Sequence, residues 1–574
     1  MRPTFILLLL LASSARGQDI TVRADAPQHR FDGAGTSFGL FLGHHYSMPD
    51  AGEDEAVRWI AQDLSLSFIQ DYPDGETEPA DNPTYYDRRA DYVKAVRAYR
   101  PGAIFSLATN KYPSRLRTEI TVNGREYLVL DVEREGIYQE VADWYFSLFQ
   151  AFHDRGAPVQ ILNVVNEPDL NVCAPNDPLQ CRPYHYGYGD DTERGVAEVF
   201  AQAVPAFLAM FDDPLLNASG MEAPRIMGPS SFSPDGGLRF IRYMKQNRPE
   251  AWDAVDIVAV HQYQNGVRGD LFQALRNEAE GKPLWQSETH GSKQFASGAI
   301  SPGLRTALST AQLVGASVNF GTEMWAYFQA NYPNPAGASF DQFNPGGLLS
   351  VPFNTTAPER YTHYYAFRQL TSTQPDSSFV LDYAASAGRR ADVLAFGKPG
   401  VDTVYVHVTN TGGGTKSITL RVTDASGTRE LRGYARRVTD SIHRDEETET
   451  GDLGGAAEWA TTLGPYSIHT FALGLGVTVD SEPGPLAAEP VLLAPRPNPA
   501  AGRATLAFHL AEAAEVRLSV LDALGREVAT LARGPHAAGR HDVAWEPAGL
   551  ASGVYTAVLR AGGAVQARRL VLAR

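Results

Sequence analysis

The stretch Pro283-Leu284-Trp285-Gln286-Ser287-Glu288 is a short apolar run that ends on a carboxylate. A second run, residues 159–165, is followed in the same way by Asn166 and Glu167. Such runs are typical of buried parallel strands, and the functional side chains of α/β barrels project from the carboxyl ends of these strands. The two glutamates therefore indicate one barrel with a functional site at its carboxyl-terminal face.

Eight strand-like runs alternate with helical segments through the first two thirds of the chain, as repeated β-α units do. The runs are residues 31–38, 66–71, 103–108, 159–165, 225–228, 257–261, 283–287 and 318–325. Between them, residues 90–99 and 137–153 carry apolar side chains at helical spacing. The pattern predicts an α/β fold, a (β/α)8 TIM barrel over residues 31–370.

The pattern after the barrel changes to short alternating strands with Gly-rich turns, for example residues 402–409, 417–422 and 466–473. This change predicts an appended β-sandwich over residues 371–475. The strand-like segment 18–30 is expected to join that sandwich. Residues 476–494 have the composition of a linker, and an immunoglobulin-like all-β domain is expected over residues 495–574.

Charge and terminal sequence limit the function classes. The 574-residue chain has a formal net charge of −16, which disfavours nucleic-acid binding because that requires clustered Lys and Arg. Residues 1–17 are typical of a signal peptide, with Arg2, an apolar stretch at 5–12 and small residues before Gln18. No later stretch is expected to span a membrane, which needs about 20 apolar residues. We expect a secreted or cell-surface protein without membrane insertion.

The chain has only two cysteines, Cys173 and Cys181, and they lie close together after Glu167. In an oxidising compartment we expect a disulfide within one loop, with a pair of free thiols as the alternative. A zinc site is disfavoured because no matching Cys/His pair supplies the other ligands. The sequence predicts no metal and no cofactor.

Two carboxylates at strand ends suit the hydrolysis of a glycosidic bond. One protonates the leaving oxygen and the other meets the developing oxocarbenium ion. Glu167 precedes Pro168, which cannot continue a strand ladder, so the glutamate is held at the strand tip. The sequence favours a secreted glycosidase acting on a polysaccharide. The alternatives are a non-catalytic polysaccharide-binding protein on the same barrel, or carboxylates that only end strands.

Other candidates for substrate binding lie near the two glutamates. Asn166 can bond a sugar hydroxyl. His261 ends the run 257–261 and Tyr263 lies just past it, where the Tyr263 hydroxyl can donate to Glu288 and keep it ionised. His261 either takes part directly in the function of the site or is a histidine of the barrel rim whose hydrogen bonds are satisfied.

The eighth run supplies two further candidates. Trp325 can stack on the apolar face of a pyranose ring, or it can be a core residue. Glu323 is a third carboxylate in the same run and competes with the assignment of two glutamates.

The segments around both glutamates resemble the barrel of glycoside hydrolase family 30. The resemblance rests on the helix at 137–153, on residues 156–161 leading into Asn166-Glu167-Pro168, and on residues 31–35, 255–263, 283–289 and 316–325. It covers residues 19–475, which includes the predicted sandwich. The family implies a retaining mechanism with Glu167 as the acid/base and Glu288 as the nucleophile.

Two segments depart from the family pattern. The second strand ends in Gln70-Asp71-Tyr72, without the arginine that the family usually has there to brace the nucleophile. Residues 109–113 replace a Trp-rich segment. These departures therefore leave sister families with the same barrel, including agarases and xylosidases, as alternatives to family 30. The expected substrates are xylan, β-glucan, galactan or agar-type glycans.

The last 80 or so residues resemble the C-terminal sorting domain of type IX secretion. The resemblance rests on Pro495-Arg496-Pro497-Asn498-Pro499, on Asp522-Ala523-Leu524-Gly525-Arg526 and on residues 550–555. It implies that the secretion machinery is a partner of this domain. Related immunoglobulin-like modules share the pattern, so a non-sorting accessory domain is the alternative.

Overall fold

The computed structural model describes residues 17–38, 45–46, 48, 50–122, 125–169, 192–263, 267–291, 300–332, 346–351, 358–386, 388, 390–398, 401–476, 491–492, 500, 503–510, 513–522, 526–537, 539–547, 549–561 and 564–572. The expected signal peptide (apart from Gly17), Cys173 and Cys181, and nearly all of the linker lie outside these residues. Contacts within the chain divide it into two units, Met1–Val477 and Thr478–Arg574.

The first unit contains a closed barrel of eight parallel strands, so the predicted TIM barrel is confirmed. The strands are β1 Gly33–Ser37, β2 Phe68–Asp71, β3 Ile104–Ala108, β4 Ile161–Asn163, β5 Arg225–Ser231, β6 Ile257–His261, β7 Leu284–Thr289 and β8 Thr322–Tyr327. They pair in this order, and β8 pairs with β1 to close the barrel. The barrel interior is filled by apolar side chains, including Phe68, Met227, Trp285 and Met324.

Helices form the outer layer of the barrel and bury its outward face. The α-helices are Asp50–Arg58, Pro83–Tyr99, Ile137–His153, Thr192–Glu198, Val204–Asp212, Pro234–Asn247, Pro249–Asp253, Gly269–Glu278, Pro302–Val318 and Thr362–Thr371, with π-helical turns at Trp59–Asp63 and Val199–Ala203 and 3-10 turns at Ser114–Leu116 and Arg390–Asp392. Three helices begin with proline after a capping side chain, Asn82, Ser233 or Ser301, which accepts a backbone N–H of the first turn.

The eighth strand begins later than the sequence predicted. The apolar run that starts at Val318 is divided between the end of the helix Pro302–Val318 and β8, which starts at Thr322. Gly321, at φ +108°, adopts a backbone conformation between them that L side chains rarely take. An apolar run alone does not separate the end of a buried helix from the strand that follows.

One helical segment is more apolar than the sequence analysis anticipated. Among the described residues, Thr192–Asp212 is long and apolar enough to cross a membrane by length and composition. Its Phe200 and Phe207 are fully buried, and the Phe207 ring packs on Tyr145 and Phe149 at centroid distances of 5.8 and 5.2 Å. Burial in the helical layer of the barrel accounts for this apolar composition.

A ten-stranded sheet forms the β-sandwich of the first unit. Its strands are Gln18–Phe31, Ser378–Ala385, Val393–Gly397, Thr403–Asn410, Lys416–Asp424, Gly427–Thr428, Leu431–Thr439, Arg444–Ala456, Trp459–Leu463 and Ser467–Leu475. Gln18–Phe31 pairs antiparallel with Ser378–Ala385 and parallel with Lys416–Asp424. Side chains from distant strands, such as Ile20 and Phe471, share one apolar core.

Four smaller sheets are also present among the described residues. The hairpin Arg117–Val122 and Arg125–Leu130 follows β3, and the short strands Asn331–Tyr332, Leu349–Ser350 and Glu359–Arg360 follow β8. The second unit contains a three-stranded sheet (Val491–Leu492, Ala504–Leu510, Gly539–Trp545) and a four-stranded sheet (Ala514–Leu521, Glu527–His536, Gly553–Ala561, Ala564–Leu572). Trp545 and Tyr555 pack in its apolar core at 5.9 Å.

Candidate functional site

Glu167 and Glu288 both lie at the carboxyl-terminal face of the barrel. Glu288 is the penultimate residue of β7, and Glu167 follows β4 by four residues. Glu167 has φ +50°, and its N–H donates to the Ser230 carbonyl of β5 at 2.8 Å. The two side chains are buried, since Glu167 is 2% and Glu288 5% exposed. A strained backbone held by a neighbouring strand thus fixes where Glu167 points.

His261, the last residue of β6, joins the two glutamates. Its Nδ1 lies 3.0 Å from Glu167 Oε1 and 3.8 Å from Glu288 Oε1. One carboxylate oxygen of each glutamate and a ring nitrogen of His261 all lie within 4.8 Å of one another. Because an ionised carboxylate can only accept, Nδ1–H donates to Glu167 when that glutamate is charged. The structure therefore places His261 in direct contact with the carboxylate pair.

Two tyrosine hydroxyls donate to Glu288. The Tyr263 hydroxyl donates to Oε1 at 2.8 Å, and the Tyr72 hydroxyl donates to Oε2. The sequence predicts Tyr263 in this role but does not predict Tyr72. Tyr72 directly follows β2, so its position at a strand end was a signal that could have identified it.

The pKa of the Glu288 carboxyl is raised above its ordinary value, because burial outweighs the groups that lower it. Burial raises the pKa of its carboxyl; His261 lowers this pKa and the charge of Glu167 raises it, while the two tyrosine hydrogen bonds lower it. Burial and the charge of Glu288 raise the pKa values of Tyr72 and Tyr263 well above their usual range. Both phenols therefore stay protonated and act only as donors toward Glu288 at any ordinary working pH.

Asn166 lies beside the carboxylate pair, as expected from its place before Glu167. It is 2% exposed, and its Nδ2 lies 3.5 Å from Asn110 Oδ1. Its Oδ1 has no hydrogen-bond partner among the described residues. A buried acceptor without a partner is costly, so this oxygen suits a ligand hydroxyl.

The structure corrects the expectation for Trp325 as a sugar-stacking platform. Trp325 is fully buried, its indole N–H donates to Gln262 Oε1 at 3.1 Å, and its ring packs on Phe367 at 5.5 Å. Phe367 belongs to the outer helix Thr362–Thr371, so the tryptophan points away from the barrel mouth into the core. The core alternative is the one that the structure supports.

Glu323 is not part of the site. It is the second residue of β8, at the amino end of that strand, where its Oε1 accepts from Arg276 Nη1 at 2.9 Å. Parallel strands place their amino ends on the face opposite the site. Glu323 therefore does not compete with Glu167 and Glu288.

Aromatic rings line the carboxylate pair. Tyr263 stacks on Phe232 at 5.0 Å and meets the edge of His290 at 5.1 Å, while Tyr72 contacts Phe328 at 6.4 Å. These contacts fix both phenol rings and leave each hydroxyl directed at Glu288.

The donor set of Glu167, His261 and Glu288 is one that could also hold a metal ion. Both oxygens of Glu288, however, already accept a hydrogen bond from a tyrosine hydroxyl. A cation bound to Glu288 would share these oxygens with the two tyrosine donors. The two neutral donors themselves stabilise Glu288 as an ionised carboxylate.

Removing one donor should alter the titration of Glu288. In Tyr263→Phe the carboxyl loses a hydrogen bond that lowers its pKa, so the pKa rises further. For any activity that needs ionised Glu288, the acidic limb of the pH profile should then move up by about one pH unit. The pH profile of kcat/KM measures this shift. Tyr364→Phe is the matched control, because it removes a buried hydroxyl bonded to the Trp59 carbonyl, and it should not move the limb. If Tyr263→Phe lowered kcat/KM equally at every pH, the prediction would be contradicted.

Comparison with known proteins adds a family match at the C-terminus. Residues 498–564 match the family model of the FlgD Ig-like domain. This match agrees with the immunoglobulin-like fold predicted for the end of the chain. No curated protein matches the chain.

Several solved structures that are similar to this chain are glycoside hydrolases. A GH30 endoxylanase from Clostridium papyrosolvens C71 is 17% identical with a TM-score of 0.58, and the match covers 79% of this chain and all of that one. The catalytic domain of GH30 xylanase C from Talaromyces cellulolyticus is 15% identical with a TM-score of 0.58, covering 79% and 99%. An endo-β-1,6-glucanase is 14% identical with a TM-score of 0.54, covering 79% and 93%. At this level of identity the likeness shows the fold alone.

Proposed function

We propose that this chain is a retaining glycoside hydrolase that cleaves β-linked polysaccharides or oligosaccharides such as xylan, β-glucan, galactan or agar-type glycans. The observation that carries the proposal is the buried pair of Glu167 and Glu288, with one oxygen of each within 4.8 Å. Retaining glycosidases hold their carboxyl groups about 5–5.5 Å apart, whereas inverting ones need about 6.5–9.5 Å to admit a water. The short separation supports double displacement.

In the proposed mechanism, Glu288 attacks the anomeric carbon while protonated Glu167 gives its proton to the leaving oxygen. The glycosidic bond breaks and a glycosyl ester forms on Glu288. Glu167, now ionised, takes a proton from water, and the water oxygen attacks the anomeric carbon to release Glu288. The product keeps the β configuration. Because the charge on Glu288 is consumed when the ester forms, it no longer repels the charge of ionised Glu167, which is then available as the base in the second half.

The neighbours of the pair have separate roles in this proposal. Tyr72 and Tyr263 keep Glu288 ionised before attack, and His261 orients Glu167 through the 3.0 Å contact at Nδ1. Asn166 Oδ1, which has no partner among the described residues, accepts a hydrogen bond from a hydroxyl of the sugar that is being attacked. Hydrogen bonds to that sugar strengthen as the transition state forms.

The proposal includes export of the enzyme. The signal-like residues 1–17 support secretion, and the FlgD Ig-like match over 498–564 agrees with an immunoglobulin-like appendage that would meet the secretion machinery. The intact mass of the extracellular protein tests this role. A sorting domain that is removed on export leaves a product lacking residues 495–574, and an accessory domain stays attached.

The activity itself is tested on a panel of xylan, β-glucans, galactan and agar with the full chain. We expect new reducing ends from one of these glycans, and proton NMR at early times should show the β anomer as the first product. Dialysis against a chelator should not change the rate. The double variant Glu167→Gln/Glu288→Gln is the blank. Binding without release of reducing ends would instead support the polysaccharide-binding alternative, and an α anomer as first product would refute the retaining mechanism.

A further inference from the structure

A chain of buried polar side chains crosses the barrel and ends at Glu288. The Ser230 hydroxyl donates to Asn163 Oδ1 at 2.7 Å, and Asn163 Nδ2 donates to Gln70 Oε1 at 3.2 Å. Gln70 Nε2 then donates to the Tyr72 hydroxyl oxygen at 2.6 Å, and Tyr72 donates to Glu288. These side chains come from β5, β4, β2 and β7, together with the residue that follows β2.

The carboxylate at one end fixes the direction of every hydrogen bond in this chain. Ionised Glu288 can only accept, so the Tyr72 proton must point to it. The Tyr72 oxygen is then left to accept, which requires the amide NH2 of Gln70 to face it. The Gln70 carbonyl must in turn accept from Asn163. This polarity agrees with each observed donor and acceptor.

A purely structural role for these residues would carry a free-energy cost, because they are polar and buried. Gln70, Asn163 and Ser230 are fully buried inside the barrel, where an apolar side chain would fill the space without needing a partner. The buried amides instead form a continuous network that leads to Tyr72 and Glu288, and the Ser106 hydroxyl also donates to Gln70 Oε1 at 3.5 Å. Such a fully satisfied polar network holds its members in one arrangement.

We propose that Gln70 is a positioning residue for the nucleophile: by donating to the Tyr72 oxygen, it aims the hydroxyl proton of Tyr72 at Glu288 and keeps that carboxylate ionised. This inference rests on the proposed function. The charged and titratable groups that face Glu288 are Glu167, His261, Tyr72 and Tyr263. A neutral amide and a phenol thus brace Glu288, since no arginine is present at position 70 to do so.

The test is Gln70→Met, which removes the donor and keeps a side chain of similar length. We expect the acidic limb of the kcat/KM profile to move up by about one pH unit, with activity about tenfold lower on the acidic side and little changed above the limb. Tyr72→Phe should give a similar shift. Because Gln70 acts through Tyr72, the double variant should show no further shift beyond Tyr72→Phe.

A matched control separates positioning from packing. Gln369→Met removes another fully buried glutamine, which bonds the Ile468 carbonyl and the Thr439 hydroxyl away from the site. It should lower the melting temperature without moving the limb. If Gln70→Met does not fold, Gln70→Asn keeps an amide but is one methylene too short to reach Tyr72, and it should show the same shift.

Failure of this inference can be told from failure of the proposed function. If the wild-type chain cleaves no glycan, the function is wrong, and the titration of Glu288 is then followed by carbon-13 NMR of labelled glutamate, assigned with Glu288→Gln. A higher midpoint in Gln70→Met supports the positioning role. An unchanged midpoint or limb, or shifts from Gln70→Met and Tyr72→Phe that simply add, would overturn it.

Discussion

Replacing Glu288 with glycine should lower kcat/KM on an aryl β-glycoside by about 10⁴-fold or more, because the covalent intermediate then has no carboxylate on which to form. In the proposed mechanism Glu167 is engaged as the proton donor, and Glu323 lies at the opposite face of the barrel. Added azide fits the space that the carboxylate leaves. Turnover should return in azide, and the product should be the α-glycosyl azide, since azide attacks from the side that Glu288 occupied.

A matched variant and the product configuration make this result decisive. Glu323→Gly removes a carboxylate from the same barrel but breaks only its contact with Arg276, so it should keep activity within a few-fold. Residual activity of Glu288→Gly within tenfold of the wild type would refute the nucleophile assignment. So would rescue by azide that gives a β-glycosyl azide.

Glu167→Ala should separate substrates by their leaving group. Hydrolysis of glycans, whose leaving oxygen needs a proton, should fall by about 10²–10⁴-fold. A dinitrophenyl β-glycoside, whose leaving group needs no proton, should still form the intermediate rapidly and accumulate it. Azide should then react with that intermediate from the opposite side and give the β-glycosyl azide. Steady-state rates with both substrates, and a burst of dinitrophenol, measure this behaviour.

The pH profile provides the check on the Glu167 assignment. The basic limb of the wild-type profile reports loss of the proton from the general acid, so it should disappear in Glu167→Ala. An equal loss with both leaving groups and a retained basic limb would mean that another group supplies the proton. His261 is the residue in contact with Glu167 that would then be examined, by His261→Ala.

The architecture was predictable because its signals are local. Short apolar runs between helical segments identified all eight barrel strands, and each ended within a few residues of its observed end. The rule that barrels carry functional side chains at the carboxyl ends of strands then singled out Glu167 and Glu288 without any structure. Their closeness follows from the closed barrel, which brings β4 and β7 to one face.

The inner details of the site were not predictable because they depend on distant residues. Whether Trp325 faces a ligand or the core depends on Phe367, in a helix that lies outside the strand pattern. The contact of Tyr72 with Glu288 joins residues 216 positions apart, and that of Gln70 with Asn163 joins residues 93 apart. Sequence periodicity predicts which face of its own strand a side chain occupies. It does not predict which residue of another strand that side chain contacts across the barrel.

The pairing of the strand Gln18–Phe31 has a consequence for how the chain assembles. This strand is synthesised before the strands that it pairs with, and the Asp19 N–H donates to Ser386 Oγ, 367 residues later. Closure of the barrel also requires residues that are synthesised later, because the Thr36 hydroxyl donates to the Tyr327 carbonyl, 291 residues further along the chain. Until then both strands have open edges, which invite wrong pairing. The order of synthesis therefore makes completion of the first unit a late event, governed by the slow closing of long loops.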